Sequence, residues 1–95
     1  MMVEKEFLTI SEVSLIAGVE IHTLRYWEKE FSSFLRPLRT NGGQRRYDER
    51  CIDVILTINR LLKEDEYTIA GAKKVLRENS YQKKDYLAEV HQAVL

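Results

Sequence analysis

Gly18 narrows the possible folds of this chain more than any other residue, because it stands between two short stretches whose apolar residues recur at helical spacing. Upstream, Ser11 reads as an N-cap, Glu12 suits the positive end of a helix dipole, and Val13, Ile16 and Ala17 share one face. That pattern predicts a first helix from about Ser11 to Ala17. Downstream, Ile21, Leu24, Trp27 and Phe31 repeat at intervals of three and four, which predicts a second helix from about Ile21 to Phe31. A glycine at the junction lets the first helix end in a left-handed conformation, with Val19 packing back beneath it. Two helices joined by so short a turn form a helix-turn-helix unit.

The rest of the chain is arranged around that unit. Phe7 to Ile10 reads as an extended lead-in. Pro37 stops further helix and bends the chain after Arg36. From Leu38 to Tyr47 the pattern is strand, turn, strand, with Asn41-Gly42-Gly43 expected to supply the positive dihedrals of the tip. A ribbon this short adds little stability, so its arginine-rich edge is the better reason for it, and it resembles the wing of a winged-helix protein. Asp48 caps a third helix from about Glu49 to Lys63, whose apolar arc, including Leu56, is wide enough to need cover on more than one side. Thr68 caps a fourth helix to about Arg77, where Gly71 implies close helix packing. Residues 7–78 thus make one domain. In the remaining 79–95, Leu87, Val90 and Val94 give an amphipathic tail that suits a dimer contact, the start of a longer helix or a frayed end.

Charge distribution says more than net charge. The chain is neutral overall, yet His22 to Tyr47 holds six basic residues against two acidic ones, while Met1 to Ile21 is acidic. Binding to phosphates depends on the charges that face them, so a neutral chain with a basic centre remains suited to a polyanion. On the second helix, His22, Arg25, Tyr26 and Lys29 fall opposite the apolar stripe. In a helix-turn-helix that helix enters the major groove by its N-terminal end, placing Thr23 and His22 near base edges and Arg25 and Lys29 within reach of phosphate or guanine. Arg39, Gln44, Arg45 and Arg46 flank the ribbon tip, and with Arg36 before the bend they complete the basic surface.

Other chemistries are poorly supplied. Cys51 is the single cysteine, so one chain can form neither a disulfide framework nor a cysteine-cluster metal site, and it reads as a packed hydrophobe in a reducing, cytoplasmic setting. His22 and His91 lie far apart, and no paired-carboxylate, phosphate-loop or zinc spacing is present; an enzyme is the weakest reading, and no cofactor is expected. No apolar run approaches the ~20 residues of a membrane span. Ninety-five residues bury only about 60–65% of the unfolded surface, which leaves room for a partner subunit to add stability.

Together the elements resemble the DNA-binding domain of MerR-type bacterial transcription regulators. The likeness is carried by Ile10-Ser11-Glu12-Val13, Gly18-Val19, Thr23-Leu24-Arg25-Tyr26-Trp27-Glu28, Arg36-Pro37-Leu38-Arg39, Asn41-Gly42, Arg45-Arg46-Tyr47 and Tyr67-Thr68-Ile69. Trp27 stands where a second tyrosine is commonest, the Glu28 to Pro37 stretch is about two residues longer than usual, and Gln44 replaces an aromatic. The resemblance implies a mainly α, MerR-like winged helix-turn-helix with a two-stranded wing and additional C-terminal helices. It also implies contacts to double-stranded DNA from Thr23, Arg25, Tyr26, Arg45 and Tyr47, and a homodimer on a palindromic promoter site where RNA polymerase is a further partner. Two alternatives stay open: an architectural, excisionase-like DNA binder, and a protein-interaction module on the same scaffold.

Overall fold

The computed structural model describes residues 7–78; the tail expected within 79–95 lies outside the described residues. Helix α1 spans Ile10–Ala17 and starts one residue before the expected position. Its N-cap is Thr9 rather than Ser11: Thr9 Oγ1 accepts from the Glu12 amide at 3.2 Å, and Glu12 Oε1 accepts from the Thr9 amide at 2.8 Å. Such a capping box needs an acid three residues after the cap, which Thr9 has in Glu12 and Ser11 lacks, since Ser14 stands in that place. Val13 is fully buried, whereas Ile16 is turned outward with about half its surface exposed, so the inward face of α1 is narrower than its composition suggested.

Gly18 closes α1 at φ +68°, and both its amide and that of Val19 donate to Ser14 O, at 2.9 and 3.2 Å. Ser14 Oγ donates in turn to Val19 O at 2.6 Å, which ties the turn to the helix it leaves and seats Val19 in the core. Helix α2 follows at Ile21–Glu30; Leu24, Trp27 and Phe31 are buried as the spacing required, whereas Ile21, expected in the same stripe, is only half-buried. The chain then turns through residues 31–34 and drops Leu35 into the core before Pro37.

Strands β1 (Leu38–Arg39) and β2 (Arg45–Arg46) pair antiparallel, Leu38 opposite Arg46 and Arg39 opposite Arg45. The tip has one positive dihedral, at Gly43 with φ +81°, not a run of them across the tripeptide. A Thr40–Gln44 exchange closes the loop instead: the Thr40 amide donates to Gln44 O at 2.8 Å and the Gln44 amide to Thr40 Oγ1 at 3.2 Å. One residue beyond β2, Tyr47 and Leu8 exchange two backbone hydrogen bonds of 2.8 Å, so the lead-in to α1 acts as a third, single-residue rung.

Helix α3 (Glu49–Asn59) is capped by Asp48, whose Oδ1 accepts from the Cys51 amide at 2.9 Å. That hydrogen bonding holds the Asp48 carboxyl below its ordinary range. Cys51, Ile55 and Ile58 form its buried stripe, but Leu56 points to solvent, so cover on the second side is partial. The helix does not continue regularly to Lys63. It widens into a π-helical turn over Arg60–Glu64, closed by the Asp65 amide on Arg60 O at 3.0 Å, and this keeps Leu61 buried. Helix α4 occupies residues 69–78, capped by Thr68, whose Oγ1 accepts from the Gly71 amide at 3.0 Å. Ala72 and Leu76 join it to the core. At Gly71 the crowding comes from the preceding loop rather than another helix, since an added Cβ would lie 3.2 Å from both Tyr67 and Thr68. Among the described residues no helix is long and apolar enough to cross a membrane.

The turn between α1 and α2 offers a direct stability test. A Cβ at Gly18 would meet nothing within 4 Å, so Gly18→Ala is penalised by its dihedral alone. The expected loss is about 1–2 kcal/mol, with a fall in Tm of roughly 4–8 °C per kcal/mol. An unchanged melting temperature would mean that the left-handed cap is not what ends α1.

Candidate nucleic-acid interface

Helix α2 is held along both edges of its buried stripe. On one edge, Glu28, with 14% of its side chain exposed, reaches the wing: Arg45 Nε donates to Oε2, Arg39 Nη2 to Oε1 at 3.4 Å, and the Tyr47 hydroxyl to Oε2 at 3.3 Å. On the other edge, Lys73 of α4 lies 3.5 Å from Glu30. Helical spacing puts Arg25 one turn before Glu28 on the wing side. The outer arc between the two clamps therefore carries Arg25, Lys29, His22 and Tyr26, all exposed, and none of the four has a hydrogen-bond or ion-pair partner among the described residues. Thr23 sits half-buried on the α4 side.

The wing arginines are engaged in three different ways. Arg39 is half-exposed and splits its terminal nitrogens between Gly43 O at 3.3 Å and Glu28. Arg46 folds back on the ribbon, donating to Arg45 O at 2.8 Å and to Gln44 Oε1 at 3.1 Å. Arg45 is held through Nε alone. Arg36 stands apart from this cluster, exposed, with its Nε on Ser32 O at 3.3 Å.

Tyr47 departs from the sequence expectation. Its side chain is fully buried, so it is an anchor of the wing and not a surface residue available to DNA. The reason is strand alternation together with the Leu8 rung, which turn the ring under the sheet and onto the core. Glu28 is the residue that sequence reasoning left out. It was visible only as the last position of the Thr23–Glu28 run, and its three partners lie 11, 17 and 19 residues away, beyond any periodic signal. Burial also pushes the Cys51 thiol up, which disfavours the thiolate and agrees with a packed role. Among the described residues, no group of three or more His, Cys, Asp or Glu could hold a metal ion.

A family model described as the MerR HTH family regulatory protein matches residues 8–79. The HTH-type transcriptional regulator MlrA of Salmonella typhimurium is 33% identical over 72 residues, covering 76% of this chain and 29% of that protein. Its Escherichia coli namesake is 40% identical over 52 residues, 55% of this chain and 21% of that one. The chain therefore spans less than a third of the length of these relatives. Among solved structures, a MerR family transcriptional regulator from Bacillus cereus superposes with a TM-score of 0.61 at 23% identity, over 93% of this chain and 72% of that one. HiNmlR, a MerR family regulator lacking the sensor domain and bound to promoter DNA, gives 0.60 at 17% identity, over 93% and 82%. These two likenesses show the fold.

Burial, and then the Glu28 carboxylate, push the Tyr47 phenol well above its usual range. A group whose proton is held more tightly in the folded state stabilises fully below its unfolded pKa of about 10, and that contribution is lost as pH rises from there toward the folded value. Wild-type stability should thus fall above about pH 10 more steeply than that of Tyr47→Phe, which itself loses about 1 kcal/mol at neutral pH through the missing hydrogen bond. Urea midpoints across the alkaline range check this; parallel curves for the two proteins would contradict it.

Proposed function

The chain belongs to the MerR HTH family of regulatory proteins, and on that premise we propose that it binds double-stranded DNA sequence-specifically, through the outer arc of α2 and the wing, to regulate transcription. The observation that carries this reading is the junction at Glu28, which sets the wing beside the Arg25 edge of α2 and so joins two basic elements into one surface. Thr23 and His22, near the N-terminal end of α2, lie where base edges would be read, while Arg25, Lys29, Arg39 and Arg45 supply phosphate contacts and Tyr26 stacks against the sugar-phosphate edge. Arg46 and Gln44 shape the tip, and Arg36 is a more distant backbone contact.

Domain-level function follows the same premise. Residues 7–78 act as the DNA-binding unit, and the 79–95 tail contributes to a homodimer on a palindromic promoter site. Two wings gripping the duplex would offset the few kcal/mol that deforming a promoter spacer costs, so that RNA polymerase can engage it. HiNmlR, described as bound to promoter DNA, supports the choice of duplex DNA as ligand.

Selection of preferred duplexes from a random pool, followed by a salt titration of the best one, tests the reading. Affinity should fall steeply with salt, with a log–log slope of about −0.9 per phosphate contact. Arg45→Ala should weaken binding to all sequences alike and flatten that slope by about one contact. Absence of binding at low salt would overturn the proposal.

A further inference from the structure

Glu28 is a negative charge at the edge of the surface proposed to meet a polyanion, and simple electrostatics makes it a hindrance there. Its geometry argues otherwise. Arg45 donates to Glu28 through Nε, the one guanidinium nitrogen that is not at the tip of the fork. Both terminal nitrogens of Arg45 are without an acceptor among the described residues, whereas Arg46 uses both of its own on the wing and Arg39 divides its own between Gly43 O and Glu28. With 26% of its side chain exposed, Arg45 is also the more confined of the two arginines on Glu28. Glu28 itself is fixed from below by the buried Tyr47 hydroxyl. The chain of contacts runs from the core, through Tyr47 and Glu28, to one arginine whose fork is left open.

From this we infer that Glu28 is a positioning residue for DNA binding: it orients the Arg45 guanidinium so that its two terminal amino groups grip a backbone phosphate bidentately. The inference rests on the DNA-binding reading above and deepens it. A guanidinium held in advance forfeits less side-chain freedom on binding than a free one, and a forked, two-bond grip on phosphate requires the planar group to arrive edge-on. The net effect of Glu28 is then favourable even though its own charge repels the ligand.

Sign and context separate positioning from charge. Glu28→Asp keeps the charge but withdraws the carboxylate by one methylene, out of reach of Nε; Glu28→Ala removes the charge altogether. If Glu28 acts only through charge, the first leaves affinity unchanged and the second raises it. Positioning requires both to weaken binding, by about 2- to 10-fold, the range that freeing one rotamer-rich side chain gives. In an Arg45→Ala background, neither substitution should weaken binding further. Fluorescence anisotropy of the 95-residue chain on a selected duplex reads all of these, with circular dichroism melts to verify folding. Should Glu28→Ala fail to fold, Glu28→Asp in the two backgrounds decides alone. Equal or tighter binding by either folded variant overturns the inference, as does a loss of the same size in the Arg45→Ala background, which would mean general loosening of the wing. If the wild-type chain itself has no affinity at low salt, the DNA reading and this inference fall together, a result distinct from either of the others.

Discussion

A single carboxylate, that of Glu28, fixes where the wing lies relative to α2, and the shape of the basic surface follows from it. Strands of two residues cannot hold such an arrangement, because so short an antiparallel ladder is marginal in water. The wing is placed by what surrounds it: the Leu8 rung on one side, the buried Tyr47 ring beneath, and Glu28 across the gap to the helix. An ion pair at an open surface contributes about 0–1 kcal/mol. The Glu28–Arg45 pair is largely enclosed and shares its acceptor with a buried hydroxyl, so its value lies in geometry as much as in stability.

The scaffold beneath is organised so that α2 can present one arc and little else. Its stripe of Leu24, Trp27 and Phe31 is inside the core, its two glutamates are committed to the wing and to α4, and its exposed residues are His22, Arg25, Tyr26 and Lys29. Acidic groups that would otherwise dilute the surface are thus turned into its fasteners. Helix α3 supplies the floor, with Cys51, Ile55 and Ile58 facing inward and Asp48 securing its start immediately after Tyr47.

What could be read from the sequence was whatever depends on near neighbours. The glycine turn, the Leu24, Trp27 and Phe31 spacing, and the Asp48 and Thr68 caps are signals whose steps span four or fewer residues, and the structure places each where the pattern put it. The misplacements also have local causes. Ser11 and Thr9 are both good caps, and only the position of Glu12 decides between them. Regular 3.6-residue periodicity has no way to anticipate the widened turn at Arg60–Glu64. Tyr47 and Glu28 were legible as members of a motif but not in their roles, because burial of the one and bridging by the other depend on contacts between residues 11 to 19 positions apart.

The rung between Leu8 and Tyr47 has a further consequence for how the molecule assembles. Its two halves are separated by the whole helix-turn-helix and the ribbon, so on a growing polypeptide Leu8 emerges early and waits for its mate until the ribbon has been synthesised. Loop closure over that span is entropically slow, and the ring that locks it arrives on the later half. The ordering step that completes the wing is therefore also the one that ties the lead-in of α1 to the ribbon.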